Sequence, residues 1–347
     1  MTERSTGVSG RGAAVTRADV ARSAGVSTAV VSYVVNGGPK SVSKATEERV
    51  RQAITRLGYR PNRTARALAM GTTKTLGLVV PDSTNPFYAE YALEIQRAAH
   101  RRGYAVLITS SGFDAEVELR AMLDLCDRQI DGLIVTAGTS YGRLHELSRQ
   151  GVRTPIVLID SATSFPGFST VGPAAAAGAA AVVEHLLSVH HHRGVALVIG
   201  DNADPATDGR EAGWLQAHAA RRRALGPVDR TAFTRDGGYE AGLRLLSAAQ
   251  VRPGQDRPTA VITSSDLQAT GLLRAAHELG LRVPTDLAIV SFDGTEETRY
   301  CWPALTTSRQ PTEAMAEAAV QAVLDPARQP VHQSFAMDLL IRDSCGC

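Results

Sequence analysis

Three aspartates in this 347-residue chain stand just past short apolar runs: Asp160 after Ile156–Ile159, Asp293 after Leu287–Phe292, and Asp266 after Ala260–Thr263 with Ser264 and Ser265 between. Asn85 and Phe87 follow the run Leu76–Val80, and Arg210 opens a helical stretch three residues before Gly213-Trp214. Apolar runs of four to six residues that alternate with helical stretches read as buried parallel strands, and in doubly wound sheets a ligand sits beyond the carboxyl ends of the strands. Carboxylates there accept hydrogen bonds from hydroxyls, an arginine donates a fork of them, and an apolar ring offers a stacking face. Such a set suits a sugar-like ligand, with a nucleoside or another small metabolite as the second class. Asn85, Phe87, Asp160, Arg210, Ser265, Asp266 and Asp293 are the candidate contacts. Any one of them could simply cap the next helix; convergence from two series of strands singles them out.

The elements that must position these residues fall into those two series. Leu76–Val80, Ala105–Thr109, Gly132–Val135 and Ile156–Ile159 read as strands of the first, and Val195–Ile199, Ala232–Thr234, Ala260–Thr263 and Leu287–Phe292 as strands of the second, with helices between them. Repeated βα units imply parallel sheets covered on both faces.

Upstream of the first strand the chain is of another kind. Residues 1–74 carry a net charge of +9 and the remainder −7, so the overall +2 conceals a cationic head on an anionic body. Thr16 and Asp19 form a capping-box start for a helix over Arg17–Ala24, Gly25 supplies the positive φ of a tight turn, and Ser27 caps a second helix over Thr28–Val35. A third helix spans Lys44–Leu57, between Ser43 as its cap and Gly58 as its stop. Pro61 holds Arg60 extended, and Asn62 caps a short helix, Arg63–Met70. Residues 1–14 read as a disordered arm. Two short helices crossed through a three-residue turn are the unit that lays its second helix in the major groove of DNA, and a segregated basic segment meets the phosphates.

The stretches Val15–Ser27, Val31–Asn36 and Gly58–Asn62, followed by Gly77–Asp82, Asn85–Phe87, Asp131–Ile134, Leu305–Thr307 and Arg342–Ser344, resemble the LacI/GalR family of bacterial transcriptional regulators. The resemblance implies an all-α helix-turn-helix domain (15–60), a hinge helix and linker (61–74), and an α/β periplasmic-binding-protein-like core of two doubly wound lobes (75–347). In such a core the chain recrosses, which assigns 75–170 and 309–328 to lobe one, and 171–308 and 329–347, with a last strand near Ser334–Ile341, to lobe two. It also implies a homodimer on double-stranded operator DNA, a small-molecule effector that modulates binding, and most often repression. Thr16, Ser27, Thr28, Ala29, Ser32, Tyr33 and Asn36 become the candidate DNA contacts of the head, Asn62 and Arg63 those of the hinge, and Leu68-Ala69 its minor-groove wedge. Tyr33 stands where several members place an Arg that reads guanine. Ser265 and Ala174 replace the Asn or Asp that members commonly carry, which makes the pocket less polar.

Other classes fare worse. The chain shows no Walker loop, no G-x-G-x-x-G fingerprint and no G-x-S-x-G elbow, so an α/β enzyme is a rival without a motif. A periplasmic binding protein would share the lobes but needs a secretion signal and no basic head. No apolar stretch follows Met1, and the longest apolar run, Val171–Val183, is short for a membrane span; both point to a cytoplasmic protein. Cys126 and Cys301 are isolated, while the Cys345/Cys347 spacing matches neither a zinc motif nor a disulfide framework. His190–His192 reads as solvated imidazoles at a helix end, and no metal or cofactor is expected.

Overall fold

The computed structural model describes residues 15–36, 41–60, 67, 70–136, 141–160, 163–201, 208–247, 257–325 and 330–347. The arm 1–14 and the hinge candidates Asn62, Arg63, Leu68 and Ala69 lie outside these residues, as does the side chain of Asn36. The chain divides into two units, one ending at Thr73 and one beginning at Lys74.

Among the described residues the first unit shows the helices α1 (Arg17–Ala24), α2 (Thr28–Asn36) and α3 (Lys44–Leu57). At the start of α1 the Thr16 hydroxyl accepts the Asp19 N–H, and the Asp19 carboxylate accepts the Thr16 N–H at 2.9 Å. Gly25, at φ +65°, turns the chain so that its N–H reaches the last carbonyls of α1, a conformation that costs any residue with a Cβ about 1 kcal/mol or more. Val20, Val31 and Val50 are fully buried where the three helices meet, with Ala21, Ala24, Ala53 and Tyr59 around them. Each such valine contributes about 1.5–3 kcal/mol by leaving water.

The second unit holds two six-stranded sheets. The first comprises β1 (Thr75–Val80), β2 (Ala105–Ser110), β3 (Gly132–Thr136), β4 (Ile156–Ile159), β5 (Ser169–Pro173) and β11 (His332–Phe335), in the order β11-β5-β4-β3-β1-β2, all parallel. Its helices are α4 (Pro86–Arg101), α5 (Ala115–Asp127), α6 (Tyr141–Arg149) and α11 (Thr312–Leu324). The second comprises β6 (Ala196–Gly200), β7 (Val228–Thr231), β8 (Ala260–Thr263), β9 (Ala288–Asp293), β10 (Thr306–Arg309) and β12 (Asp338–Leu340), in the order β12-β10-β9-β8-β6-β7, with only β12 antiparallel. It carries α7 (Ala175–Ser188), α8 (Arg210–Arg221), α9 (Arg235–Leu246) and α10 (Asp266–Glu278).

Three features depart from the sequence reading. The segment Ser169–Pro173 pairs with β4 in the first sheet, so the passage to lobe two falls at Ala174 rather than at 171. Its Gly and Pro had broken the apolar signature of a strand. The strand expected at 232–234 lies at Val228–Thr231, an edge strand whose exposed Val228 and Arg230 give it no continuous apolar run. The single last strand is two: β11 extends the first sheet and β12 the second, with Ala336 and Met337 between.

The chain therefore passes between lobes three times, after β5, after β10 and after β11. The passages touch, since the Ala174 N–H donates to the Phe335 carbonyl at 2.7 Å. Gly178 in α7 lies so close to this spine that a Cβ would meet Met337 Sδ at 2.5 Å and Ser308 Oγ at 2.7 Å. Lobe one packs Leu76, Ile95 and Ile134 against Met315 and Val320 of α11, so the helix after the second passage completes the earlier lobe's core.

Candidate functional site

Two aspartates at strand ends are held in conformations that side chains rarely adopt. Asp160, directly after β4, has φ +58°, and Asp293, the last residue of β9, has φ +106°. Such backbone costs of order 1–3 kcal/mol and persists where the surroundings impose it, most often at ligand sites. The two carboxylates come from different lobes, and each lies within electrostatic reach of the other and of Arg210.

Arg210 opens α8. Its N–H and its guanidinium both engage Asp208, at 3.0 and 3.2 Å, and the guanidinium lies over the rings of Phe292 at 4.7 Å and Phe233 at 5.4 Å. Helix α8 can approach α7 this closely because Gly213 carries no Cβ; one would meet the Ala176 carbonyl at 2.1 Å. Trp214, one residue on, is a core residue whose Nε1–H donates to the Val195 carbonyl at 2.8 Å. Burial alone would lower the Arg210 pKa, but Asp208, Asp293 and Asp160 together raise it and hold the group charged. Burial pushes Asp160 up to about 7 despite the neighbouring cation, and it raises Asp293 well above its ordinary value, reinforced by Asp266.

Several polar atoms around this centre have no hydrogen-bond partner among the described residues. Tyr91 Oη and Thr136 Oγ1 of lobe one, Arg210 Nε of lobe two, and Gln310 Oε1 at the second passage are all buried and unsatisfied. A buried polar atom without a partner costs about 1–3 kcal/mol. Four of them, beside two carboxylates of opposite lobes, make a set that a ligand rich in hydrogen-bonding groups could satisfy.

The remaining sequence candidates divide. Asn85 caps α4, its Oδ1 accepting the Phe87 N–H at 3.0 Å, and is buried. Phe87 is 3 % exposed and packs in the lobe-one core, so it offers no stacking face; its ring meets Tyr88 edge-on, at 5.1 Å between centroids. Tyr88 is a lobe-one aromatic near the charges: burial, then Asp160 and Asp293, hold its phenol well above the ordinary range. Ser265 caps α10 by accepting the Gln268 N–H at 3.3 Å. The Asp266 carboxylate accepts from Ser291 Oγ (2.6 Å), Thr295 N (2.7 Å), Thr295 Oγ1 (2.8 Å) and Thr307 Oγ1 (3.2 Å), and so braces α10 against β9 and β10. Sequence reasoning missed Tyr88, Tyr91, Asp208 and Gln310. Tyr88 and Tyr91 occupy helical positions that read as core, and Gln310 lies in a passage that the family resemblance placed at 308–309 without giving any side chain there a role.

In the first unit, Ser27 Oγ accepts the Val30 N–H at 3.3 Å and so starts α2. Thr28 and Ala29 are exposed on its first turn, Ser32 and Tyr33 are half-buried one turn on, and Val31 points into the core. Thr16 is exposed, but its hydroxyl and N–H serve the α1 cap. Arg56 of α3 donates to Ser23 Oγ at 2.5 Å, which ties α3 to α1 behind the presented helix. No described helix is long and apolar enough to cross a membrane.

His190, read from the sequence as a solvated imidazole, is half-buried, and His185, His190, Cys345 and Cys347 converge at the far end of α7.

Comparison with known proteins places both parts of the chain in one family. Residues 16–62 match the bacterial regulatory proteins of the lacI family, and residues 183–345 match the periplasmic binding protein-like domain. The HTH-type transcriptional repressor PurR of Erwinia tasmaniensis is 32% identical over 88% of this chain and 89% of its own. The ribose operon repressor of Escherichia coli K12 is 30% identical over 93% and 96%. Among solved structures, the Lac repressor dimer bound to operator and the anti-inducer ONPF superposes with a TM-score of 0.83 at 26% identity, covering 96% of this chain and 99% of that one. A LacI family regulator from Enterococcus faecium with bound ribose gives 0.68 at 26% identity, covering 78% and 98%.

Proposed function

From the premise that this chain belongs to the LacI family of bacterial regulatory proteins and is a DNA-binding transcriptional repressor modulated by a small molecule, we propose that its effector is a monosaccharide held between Asp160, Arg210 and Asp293. The carrying observation is the pairing of carboxylates from opposite lobes beside four unsatisfied buried polar atoms. Hydroxyls that both donate and accept satisfy such a set at several points at once; an apolar ligand would leave every one of those atoms unsatisfied. Arg210 supplies the donor fork and the aspartates the acceptors, while Tyr88 and Tyr91 close the lobe-one side. A ligand that bridges the lobes favours their closed arrangement by its differential affinity for that state, and any change in operator affinity is the same coupling seen from the other site.

On the DNA side, Thr28 and Ala29 meet base edges, Ser27, Ser32 and Tyr33 flank them, and Thr16 fixes the helix that crosses the backbone. One helix-turn-helix reads too few base pairs for useful specificity, so two copies act on a pseudo-palindromic operator. The pairing surface we assign in lobe one is edge strand β2, where Leu107 and Ile108 are about two-fifths exposed. Asn36, Asn62, Arg63 and the Leu68-Ala69 wedge complete the DNA contacts on the strength of the sequence. The repressor acts in the cytoplasm and catalyses no reaction.

The test is thermal stabilisation of the purified protein by a panel of monosaccharides, nucleosides and purine bases, followed by operator binding with each hit. A monosaccharide that stabilises the wild type, fails with Asp293→Ala and changes operator affinity supports the assignment. Stabilisation by a nucleoside or a purine base alone overturns the sugar while leaving the repressor intact.

A further inference from the structure

Helix α7 runs from the interlobe spine toward the far end of lobe two, and there it presents His185. His190 returns from the turn before β6, and Cys345 and Cys347 arrive from a segment some 160 residues away. His185 Nε2 lies 3.2 Å from His190 Nε2, 3.5 Å from Cys345 Sγ and 3.4 Å from Cys347 Sγ; Cys347 Sγ lies 3.3 Å from His190 Nε2; and all four donor atoms fall within 4.8 Å of one another. Zinc bonds of about 2.0–2.1 Å to nitrogen and 2.3 Å to sulfur place tetrahedral ligand atoms roughly 3.3–3.8 Å apart, and the four contacts of 3.2 to 3.5 Å lie close to that range while the whole set stays within 4.8 Å.

We propose that His185, His190, Cys345 and Cys347 form a structural zinc site that clamps the segment 342–347 to lobe two. Two thiolates and two neutral imidazoles balance a divalent cation, and a four-ligand tetrahedral set with no open position is the pattern of a structural rather than a catalytic centre. The backbone supports it. Gly346, at φ +105°, carries the chain from one cysteine to the next across the His190 ring, where a Cβ would approach Nδ1 to 3.5 Å. Cys345 is buried among the core residues of lobe two, and Cys347 and the half-buried His190 form the outer side by which a metal enters.

The clamped segment matters to the lobe. Ser344 Oγ accepts the Thr306 N–H at 2.8 Å and donates to the Ile289 carbonyl at 2.6 Å, while Arg342 donates to Thr298 Oγ1 at 2.8 Å and to the Leu305 carbonyl at 2.7 Å. This segment thereby braces β9 and β10, the strands that lead to Asp293 and Gln310. A metal held by both α7 and the segment stabilises the folded lobe by its full binding free energy, because the unfolded chain does not assemble the four ligands.

The experiment uses the untagged full chain, purified under reducing conditions without chelator, with metal content by elemental analysis and a Co2+ titration of the apoprotein. One zinc per chain, tetrahedral Co2+–thiolate absorption, and a rise in melting temperature of about 5 °C on adding Zn2+ to the apoprotein are expected. His190→Ala and Cys347→Ser, both outside the core, are expected to lose the Co2+ spectrum and the zinc response while still binding operator. The assignment is overturned if the wild type holds no metal and gives no thiolate spectrum, if either variant takes up Co2+ as tightly as wild type, or if reduced wild type re-forms a Cys345–Cys347 disulfide in preference to binding zinc.

Discussion

Gln310 donates its side-chain Nε2–H to Oδ1 of Asp293 and its backbone N–H to the carbonyl of the same residue, both at 2.9 Å. The cleft carboxylate is thus held from the passage that joins β10 to α11. Gln310→Leu removes the side-chain donor and leaves the backbone bond. Effector affinity is expected to fall about tenfold, equivalent to roughly 1.4 kcal/mol, with operator binding in the absence of effector unchanged. Isothermal titration beside operator anisotropy measures both.

Asp160 carries a pH signature. Burial raises its folded pKa to about 7 from an unfolded 3.8, so the native state holds the proton more tightly between those values. The stability it contributes is complete below about pH 4 and is lost as pH climbs through 7. Asp160→Asn keeps a neutral side chain at all pH. The ligand-free variant is expected to melt roughly 2–5 °C above wild type at pH 8, with a smaller gap at pH 5, and to lose effector-induced stabilisation. Thermal melts at both pH values decide it.

Asp266 separates bracing from binding. Asp266→Ala strands the donors of Ser291, Thr295 and Thr307, at a cost of about 3 kcal/mol to lobe two. The melting temperature is expected to drop without effector, and the surviving folded fraction to bind effector with near-normal affinity. A lost affinity in a protein of unchanged stability would assign Asp266 to the ligand instead.

Thr28 is exposed at the start of the reading helix, and Tyr33 stands one turn later. Thr28→Ala is expected to weaken binding to the preferred operator about 5- to 100-fold while binding to random duplex stays within twofold. Tyr33→Arg is expected to introduce a guanine requirement at one half-site position, because a guanidinium grips guanine at two points and a phenol cannot. Selection from a randomised half-site library reads both outcomes.

Ile108 on the exposed edge of the first sheet supplies a test of pairing. Ile108→Lys is expected to shift the protein from dimer to monomer by light scattering and to weaken operator binding more than tenfold, with effector binding retained.

The three described helices of the head were legible almost to the residue, since Thr16, Gly25, Ser27, Ser43 and Gly58 are local signals that act within one turn and the structure uses each of them in that way. Buried central strands such as β3 and β4 announced themselves by uninterrupted apolar runs. β7 and β12 did not, because they bury little, although the edge strand β2 was read nearly in full from its apolar residues Ala105–Ile108. In the cleft, Asp160, Arg210 and Asp293 could be read from their positions at element ends, whereas Asp266 looks the same in sequence and differs only in the four donors that the fold brings to it. The His/Cys cluster escaped for a related reason: its ligands lie some 160 residues apart, and no spacing rule spans that interval.

The passages at Ala174, at Gln310-Pro311 and at Ala336-Met337 stitch the two sheets along one line, the first and third directly bonded through Ala174 and Phe335. Three stitches in a row behave like the binding of a book: the leaves swing about it, but sliding and twisting would stretch one thread or another. Whatever enters between the pages can therefore report itself only as an angle. With Gln310 in that binding and its amide on Asp293, the angle is sensed where the binding itself meets the page.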